Sequence, residues 1–302
     1  MHMKRIFVMG SMNMDIVFEV EGLPKNGETI NAKDLLVNPG GKVANQAVAA
    51  AKQNVAVTML GAIGNDQFGE QFLAELKNVG INVQFVTRKD CRTGVAGVLL
   101  HKGDNRIMVY GGANSVYSFE DFADILTKNA QKGDIFVTQL ETNIDVVCKG
   151  LKLAKELGMT TILNPAPASQ QIVSALKYCD IVIPNEIEAE VLTGILPCKE
   201  NYAELRDKFK NLGASCVIIT CGDNGSVYLS DDIEFFGAYE VDAVDTTAAG
   251  DTYIGVLSAS LAKGYSIRDA IKYATAASAI AVTRKGAQRS IPVEKEVQEF
   301  LK

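Results

Sequence analysis

Short apolar runs alternate with helix-like stretches over most of the 302 residues. This predicts an α/β fold: a doubly wound, mostly parallel sheet flanked by helices, with a small β-sheet lid. Three observations carry the prediction. The apolar runs are short and nearly free of polar residues, as strands buried on both faces are. The stretches between them repeat apolar residues at three- and four-residue spacing and close on glycine. Two further regions lack helical period and carry turn residues at their centres. With 47% hydrophobic residues, the chain can bury a large core as one domain spanning 1–302.

Taken in order, Ile6–Met9 is the first buried-strand candidate. Ile16–Val37 reads as a hairpin turning at Leu23-Pro24-Lys25-Asn26-Gly27. Val43–Gln53 is Ala-rich and helical, and Val55–Leu60 is a strand. Gln67–Val79 is a helix with Phe68, Phe72 and Leu76 on one face and Gly80 behind. Val95–Gly111 reads as a second hairpin turning at Lys102-Gly103-Asp104-Asn105. The two hairpins either pair into a separate sheet, a lid drawn from about residues 15–38 and 94–111, or form edge strands of the main sheet. Ile135–Thr138, Thr160–Asn164, Ile181–Pro184 and Cys216–Thr220 are further strands, and Ile144–Leu157 is a helix closed by Gly158. Ile254, Leu257 and Leu261 share the face of a last helix stopped by Gly264. Ligands on such sheets bind at the carboxyl ends of the strands.

Thirty Lys and Arg against 36 Asp and Glu give a net charge of −6 without a basic tract. Nucleic-acid and anionic-membrane binding are therefore not expected. The six cysteines form no C-x-x-C pair, and His2 and His101 are the only histidines. A zinc site or disulfide framework is not expected, and a soluble protein of a reducing cytoplasm is. No G-x-G-x-x-G or Walker A spacing occurs, which counts against dinucleotide chemistry.

Several constellations lie where strands are expected to end. In Asp245-Thr246-Thr247-Ala248-Ala249-Gly250-Asp251, small residues run into a helix start, whose free N–H groups favour an anion. Asp251 alone most commonly reads as a cap; beside a bound anion it reads as a base. Asn13 and Asp15 alternate around Met14 and project together, as a polyol site needs, or form an Asx-turn. Gly40-Gly41-Lys42 opens the Ala-rich helix, with Lys42 and Asn45 on one face of its first turn. Asn185 and Glu188 have capping-box spacing, and alternatively order Mg²⁺ and water near phosphates. Thr220-Cys221-Gly222-Asp223-Asn224-Gly225 can wrap a phosphate or turn into another strand.

In this order and over essentially the whole length, these segments resemble the ribokinase (PfkB) family of carbohydrate kinases. The resemblance rests on Gly10–Asp15, Gly40–Ala47, Pro184–Glu190, Thr220–Gly225 and Asp245–Thr252. Asn164-Pro165-Ala166-Pro167-Ala168 and Thr283-Arg284-Lys285-Gly286-Ala287-Gln288 are most similar to ribokinases within it. The resemblance implies ATP-dependent phosphorylation of D-ribose at its 5-hydroxyl. Asp251 would be the catalytic base, and the N–H groups of Ala248, Ala249 and Gly250 the anion hole. Asn13, Asp15, Gly41, Lys42, Asn45 and Glu141 would hold the pentose. Asn185, Thr220, Gly222 and Gly225 would contact ATP, with Glu188 near the Mg²⁺-bound phosphates. Asp245, Thr247, Ala281, Arg284, Gly286 and Ser290 would form a K⁺ site behind the anion loop. The family also implies a homodimer through the lids. One departure stands out: the family's ribose loop reads Gly-Gly-Lys-Gly-Ala-Asn, and here Val43 replaces its third glycine. Two alternatives remain, another PfkB-family kinase acting on deoxyribose, fructose or a nucleoside, and a catalytically silent sugar-binding sensor.

Overall fold

The computed structural model describes residues 4–102 and 104–302; His2, and Gly103 of the second hairpin turn, lie outside them. The chain opens with β1 (Ile6–Met9), β2 (Asn13–Val20), β3 (Ala32–Gly40) and α1 (Lys42–Ala51). It continues through β4 (Val57–Leu60), β5 (Ala62–Gly64), α2 (Gln67–Asn78), β6 (Thr87–Lys89), β7 (Gly94–His101) and β8 (Asp104–Tyr110). The middle holds α3 (Ala123–Asn129), β9 (Ile135–Thr138), α4 (Ile144–Glu156), β10 (Thr160–Leu163), β11 (Ile181–Val182), α5 (Glu186–Thr193) and α6 (Tyr202–Asn211). The last third holds β12 (Val217–Thr220), β13 (Ser226–Leu229), β14 (Ile233–Phe236), α7 (Ala249–Ala262), α8 (Ile267–Val282), α9 (Ala287–Ser290) and α10 (Glu294–Phe300).

The main sheet runs β14-β13-β12-β11-β10-β9-β1-β4. Strands β4 through β12 pair in parallel, while β13 and β14 add an antiparallel edge. Alternate strand residues feed two cores on opposite faces. Ile6, Val8, Ile135 and Val137 join α1, α7 and α8 on one side. Phe7, Met9, Phe136 and Leu163 join α4, α5 and α6 on the other. This explains the nearly continuous apolar runs, since a strand buried on both faces has no polar side. Strand β1 pairs with β4 on one flank and with β9 on the other. The winding therefore reverses at β1, and the crevice beyond its carboxyl end is where such sheets bind ligands.

The two hairpin regions form a separate four-stranded sheet of order β3-β2-β7-β8, not extensions of the main sheet. Each hairpin is antiparallel, but their first strands β2 and β7 pair in parallel. Both leave the main domain in the same direction, so their shared register joins Asn13 to Gly94 at the base. Among the described residues no helix is long and apolar enough to cross a membrane.

Candidate active site

Helices α1 and α7 build the centre of the site. Gly41 precedes α1 with φ of 86°, a conformation costly for any residue with a Cβ. From there Asn45 and Gln46 project on the first turns. Gly255 lets α7 lie directly on α1, because a Cβ there would stand 2.4 Å from the Gln46 carbonyl oxygen. That close approach brings Asp251 within reach of both amides. Asn45 Nδ2 donates to Asp251 Oδ2 and Gln46 Nε2 to Oδ1, each at 3.0 Å. Asp251 therefore caps nothing. The cap position of α7 is Ala248, in the left-handed region at φ 60° and without a side-chain cap, and the Asp251 carboxylate points to another helix instead. Burial raises its pKa, opposed by the charge of Lys42 and by the Asn45 and Gln46 hydrogen bonds.

Beside it stands a group suited to hydroxyls. Met12 and Met14 are fully buried, so the alternation of β2 turns Asn13 and Asp15 to the opposite face. Asn114 pins this segment, accepting from Met12 N and donating to Met12 O and Asn13 Oδ1. Glu141, past the end of β9, accepts from Ser11 Oγ at 2.7 Å and from Lys42 N at 3.1 Å. Asp15 has its pKa raised to about 7, by burial first and then by the charges of Glu141 and Asp251. Three carboxylates thus converge within electrostatic range, an arrangement that favours a ligand bringing hydroxyl donors.

A cleft of about 850 Å³ adjoins this cluster and reaches Lys42, Asn185, Glu188, Thr220, Gly222 and Gly225, as well as Ala248 to Asp251. Asn185 and Glu188 do form a capping box: Asn185 Oδ1 accepts from Glu188 N, and the Glu188 carboxylate accepts from Asn185 N and Nδ2. The box does not remove them from the cleft. It holds the carboxylate still, buried, with its pKa raised chiefly by that burial. Thr220 closes β12 and forms a parallel bridge with Asn185, so both strand ends meet the cleft together. At the start of α7, Ala249 N–H turns back onto Thr246 O at 3.2 Å, and the N–H groups of Ala248 and Gly250 meet no acceptor among the described residues. The anion-hole expectation is thereby narrowed, since one of its three donors is engaged in a turn. Ala248, Ala249 and Gly250 all line the cleft.

The expected cation residues sit behind this loop. Asp245 Oδ1 accepts from Thr247 N and Oδ2 from Gly286 N, each at 2.9 Å. One carboxylate therefore ties the anion loop to the turn after α8. These bonds hold the Asp245 pKa below the usual carboxylate value against its partial burial. Ser290 is fully buried and donates to Ala287 O. The Ala281 carbonyl takes Arg284 N, while the Arg284 guanidinium turns away to Glu296 at 2.6 Å.

Sequence reasoning missed Gln46, Gln139, Asn164 and Asn114 as site residues. Gln46 and Asn164 stood inside recognised motifs but suggested no role, and Gln139 and Asn114 gave no signal. Val43, the departure in the sugar loop, is fully buried, and its Cγ2 would lie 2.3 Å from a Cβ on Gly10. It packs beneath the loop against the end of β1.

The geometry agrees with what comparison finds. The model of the pfkB family carbohydrate kinases matches residues 3–294. A deoxyribokinase of Salmonella typhi is 36% identical over 303 residues, covering 98% of each chain. A ribokinase of Schizosaccharomyces pombe is 38% identical over 309 residues, covering 98% of this chain and 97% of its own. The structure of Arabidopsis thaliana ribokinase complexed with ribose and ATP superposes with a TM-score of 0.90 at 31% identity, over 100% of this chain and 99% of that one. With the match running nearly end to end through every motif of the site, the chain belongs to the pfkB family of carbohydrate kinases and is a sugar kinase.

Proposed function

We propose that this protein transfers the γ-phosphoryl group of ATP to the 5-hydroxyl of D-ribose, giving D-ribose 5-phosphate and ADP. The observation that carries this is the position of Asp251, a buried carboxylate held by two amides between a polyol-suited cluster and a cleft that starts a helix. Asp15, Glu141 and Asn13 accept the ring hydroxyls, with Lys42 and Gly41 closing the same pocket. Asn45 Oδ1 is buried and meets no partner among the described residues, an acceptor suited to a sugar hydroxyl. The 5-hydroxyl gives its proton to Asp251 as its oxygen bonds to the γ-phosphorus. The bond from that phosphorus to the β-phosphate bridging oxygen breaks, and ADP leaves with the electron pair. Lys42 and the N–H groups at the start of α7 meet charge on the phosphoryl oxygens, the main catalytic need of phosphoryl transfer. Asn185, Thr220, Gly222 and Gly225 contact the nucleotide, whose base suits the apolar wall of Val241, Ala243, Ala279 and Val282.

Two ions fit the donors present. No group of three or more His, Cys, Asp or Glu is placed to hold a metal ion among the described residues, so an all-protein divalent cage is not built. A Mg²⁺ held by phosphate oxygens and reached through water by Glu188 matches the habit of that ion, which neutralises phosphate charge. Asp245, the Ser290 hydroxyl and the carbonyls of Thr247, Ala281, Arg284 and Gly286 are all oxygen donors, as a K⁺ site requires. On this reading K⁺ braces the anion loop. Replacing K⁺ by a bulky organic cation should depress kcat with little change in ribose KM, and indifference to the swap would argue against the site.

Val43 packs beneath the sugar loop and is not among the residues lining the cleft, so it does not stand against ribose. The second reading, 2-deoxyribose, is favoured by the deoxyribokinase relative at similar identity. A coupled ADP assay with ribose, 2-deoxyribose, fructose and adenosine decides: the ribose reading fails if ribose does not give the highest kcat/KM. Ribose binding without ADP release would instead reveal a sensor. The six free thiols and the use of ATP suit the cytoplasm. On this reading the chain is one domain whose smaller sheet acts as lid. Its outer strand β8 exposes Met108 and Val109 by 66% and 65%, although consecutive residues face opposite sides. A homodimer through these sheets would cover them. Met108→Glu combined with Val109→Lys should turn a dimer into a monomer in analytical ultracentrifugation; an unchanged mass would place the interface elsewhere.

A further inference from the structure

We propose that Gln46 is a positioning residue for Asp251, and that Asn164 sets the direction in which its amide points while Gln139 donates to its far end. This deepens the reading of Asp251 as the base and rests on it. All three side chains are buried: Gln46 and Gln139 are 1% exposed and Asn164 is 7%.

The chain of bonds has a fixed polarity. Asn164 Nδ2 donates to the backbone carbonyl of Ile183 at 3.0 Å, and a carbonyl can only accept. Asn164 Oδ1 is thereby turned toward Gln46, whose Nε2 lies 3.4 Å away. From the other side Gln139 Nε2 donates to Gln46 Oε1. Asn164 therefore requires Gln46 to present its nitrogen on the side of Asp251, where it donates to Oδ1, and Gln139, whose own Oε1 meets no partner among the described residues, follows that direction. A reversed amide would set its oxygen against two acceptors at once, Asn164 Oδ1 and Asp251 Oδ1. A main-chain carbonyl just past β11 therefore orients, through two side chains, a hydrogen bond on the reacting carboxylate.

This bond has two consequences. It favours the ionised form of a carboxylate that burial pushes toward the neutral one. It also occupies one lone pair of Oδ1, as Asn45 does on Oδ2, which fixes the plane of the carboxylate and the direction of its free lone pairs. Four charged groups act on the same carboxylate: Lys42 on α1, Glu141 beyond β9, Asp15 on β2 and Glu188 on α5. None is altered by changing Gln46, so a change in titration reports the lost bond.

Gln46→Met keeps the length of the side chain and removes its donors. At saturating ribose and ATP, kcat at pH 7 should fall ~10- to 100-fold, with both KM values held within ~3-fold and the acid limb of kcat against pH moved upward by about one unit. Gln139→Met should move the limb the same way by less. The double variant should equal Gln46→Met and not the product of the two singles, because both act through one chain of bonds. An unmoved limb in a folded, substrate-binding Gln46→Met protein overturns the proposal. Should that variant not fold, an unmoved limb in Gln139→Met overturns it equally. Asp251→Asn separates the two layers. If it is inactive while the Gln46→Met limb stays put, only the positioning role fails; if it keeps normal kcat, the base assignment fails too.

Discussion

Asp251→Asn should lower kcat by about 10²–10⁴-fold, the typical worth of a positioned base, while KM for sugar and nucleotide stays within a few fold. The side chains differ by one atom type and share a shape, so the sugar pocket and the cleft keep their walls. What changes is proton affinity. The carboxylate accepts from Asn45 and Gln46 and retains lone pairs for a hydroxyl proton, whereas an amide nitrogen has none. The same substitution costs one of the two amide bonds, since its nitrogen must face a donor. That loss also lowers thermal stability, so Tm is read beside the kinetics. Steady-state kinetics with single-turnover measurement of ADP release tests the assignment. A variant that turns over near the parent rate would remove Asp251 as base and leave it as a strut between α1 and α7.

The parts legible in the sequence were those that depend on neighbouring residues. Ile6–Met9 and Ile135–Thr138 match the observed strands, because a fully buried strand is a local apolar run with polar residues at both ends. Gly158 and Gly264 stop their helices in the left-handed region, a requirement each glycine meets alone. The strand read from Val55 begins at Val57, since Val55 packs into the core without pairing. The antiparallel edge of β13 and β14 was only hinted at by the Gly225 turn. Its strands are short and turn quickly, and they carry no helical alternation to frame them.

Within the candidate site, the bonds between the motif residues were not legible. Asn45 and Asp251 were each singled out, yet the bond between them spans 206 positions, and nothing in either segment announces it. Asp251 shows where local reading leaves two roles open. An acid in a helix's first turn most often caps it, and the local pattern carried no sign of Gly255 drawing α1 within reach. At Asn185 and Glu188 the capping box was legible, since its geometry is local, and the structure sets that box in the wall of the cleft.

Acidification should reveal the second large effect, in sugar capture rather than in turnover. Asp15 titrates near 7 because burial and the charges of Glu141 and Asp251 disfavour its ionised form. Above that pH it is a carboxylate that can accept from two hydroxyls; below it, one oxygen carries a proton and an acceptor is lost. For ribose, kcat/KM should therefore fall up to about tenfold per pH unit below 7, approaching 100-fold at pH 5. Bound hydroxyls stabilise the ionised form, so the limb belongs to the free enzyme and should be weaker in kcat. Asp15→Asn should lower kcat/KM at pH 8 by about 10²-fold, through KM, and flatten the acid limb. Stability should move oppositely. A carboxyl whose pKa is raised on folding binds more protons in the folded state, so it costs stability as pH rises from about 4 to 7. Asp15→Asn should then raise Tm at pH 8 and lose that gain toward pH 4. A variant with the parent's acid limb in kcat/KM would show that another group governs sugar capture; one with no gain in Tm at pH 8 would show that burial and the charges of Glu141 and Asp251 do not load this carboxylate. The cost falls on the pocket that needs an acceptor, where a neutral side chain would be easier to bury and poorer at holding a sugar.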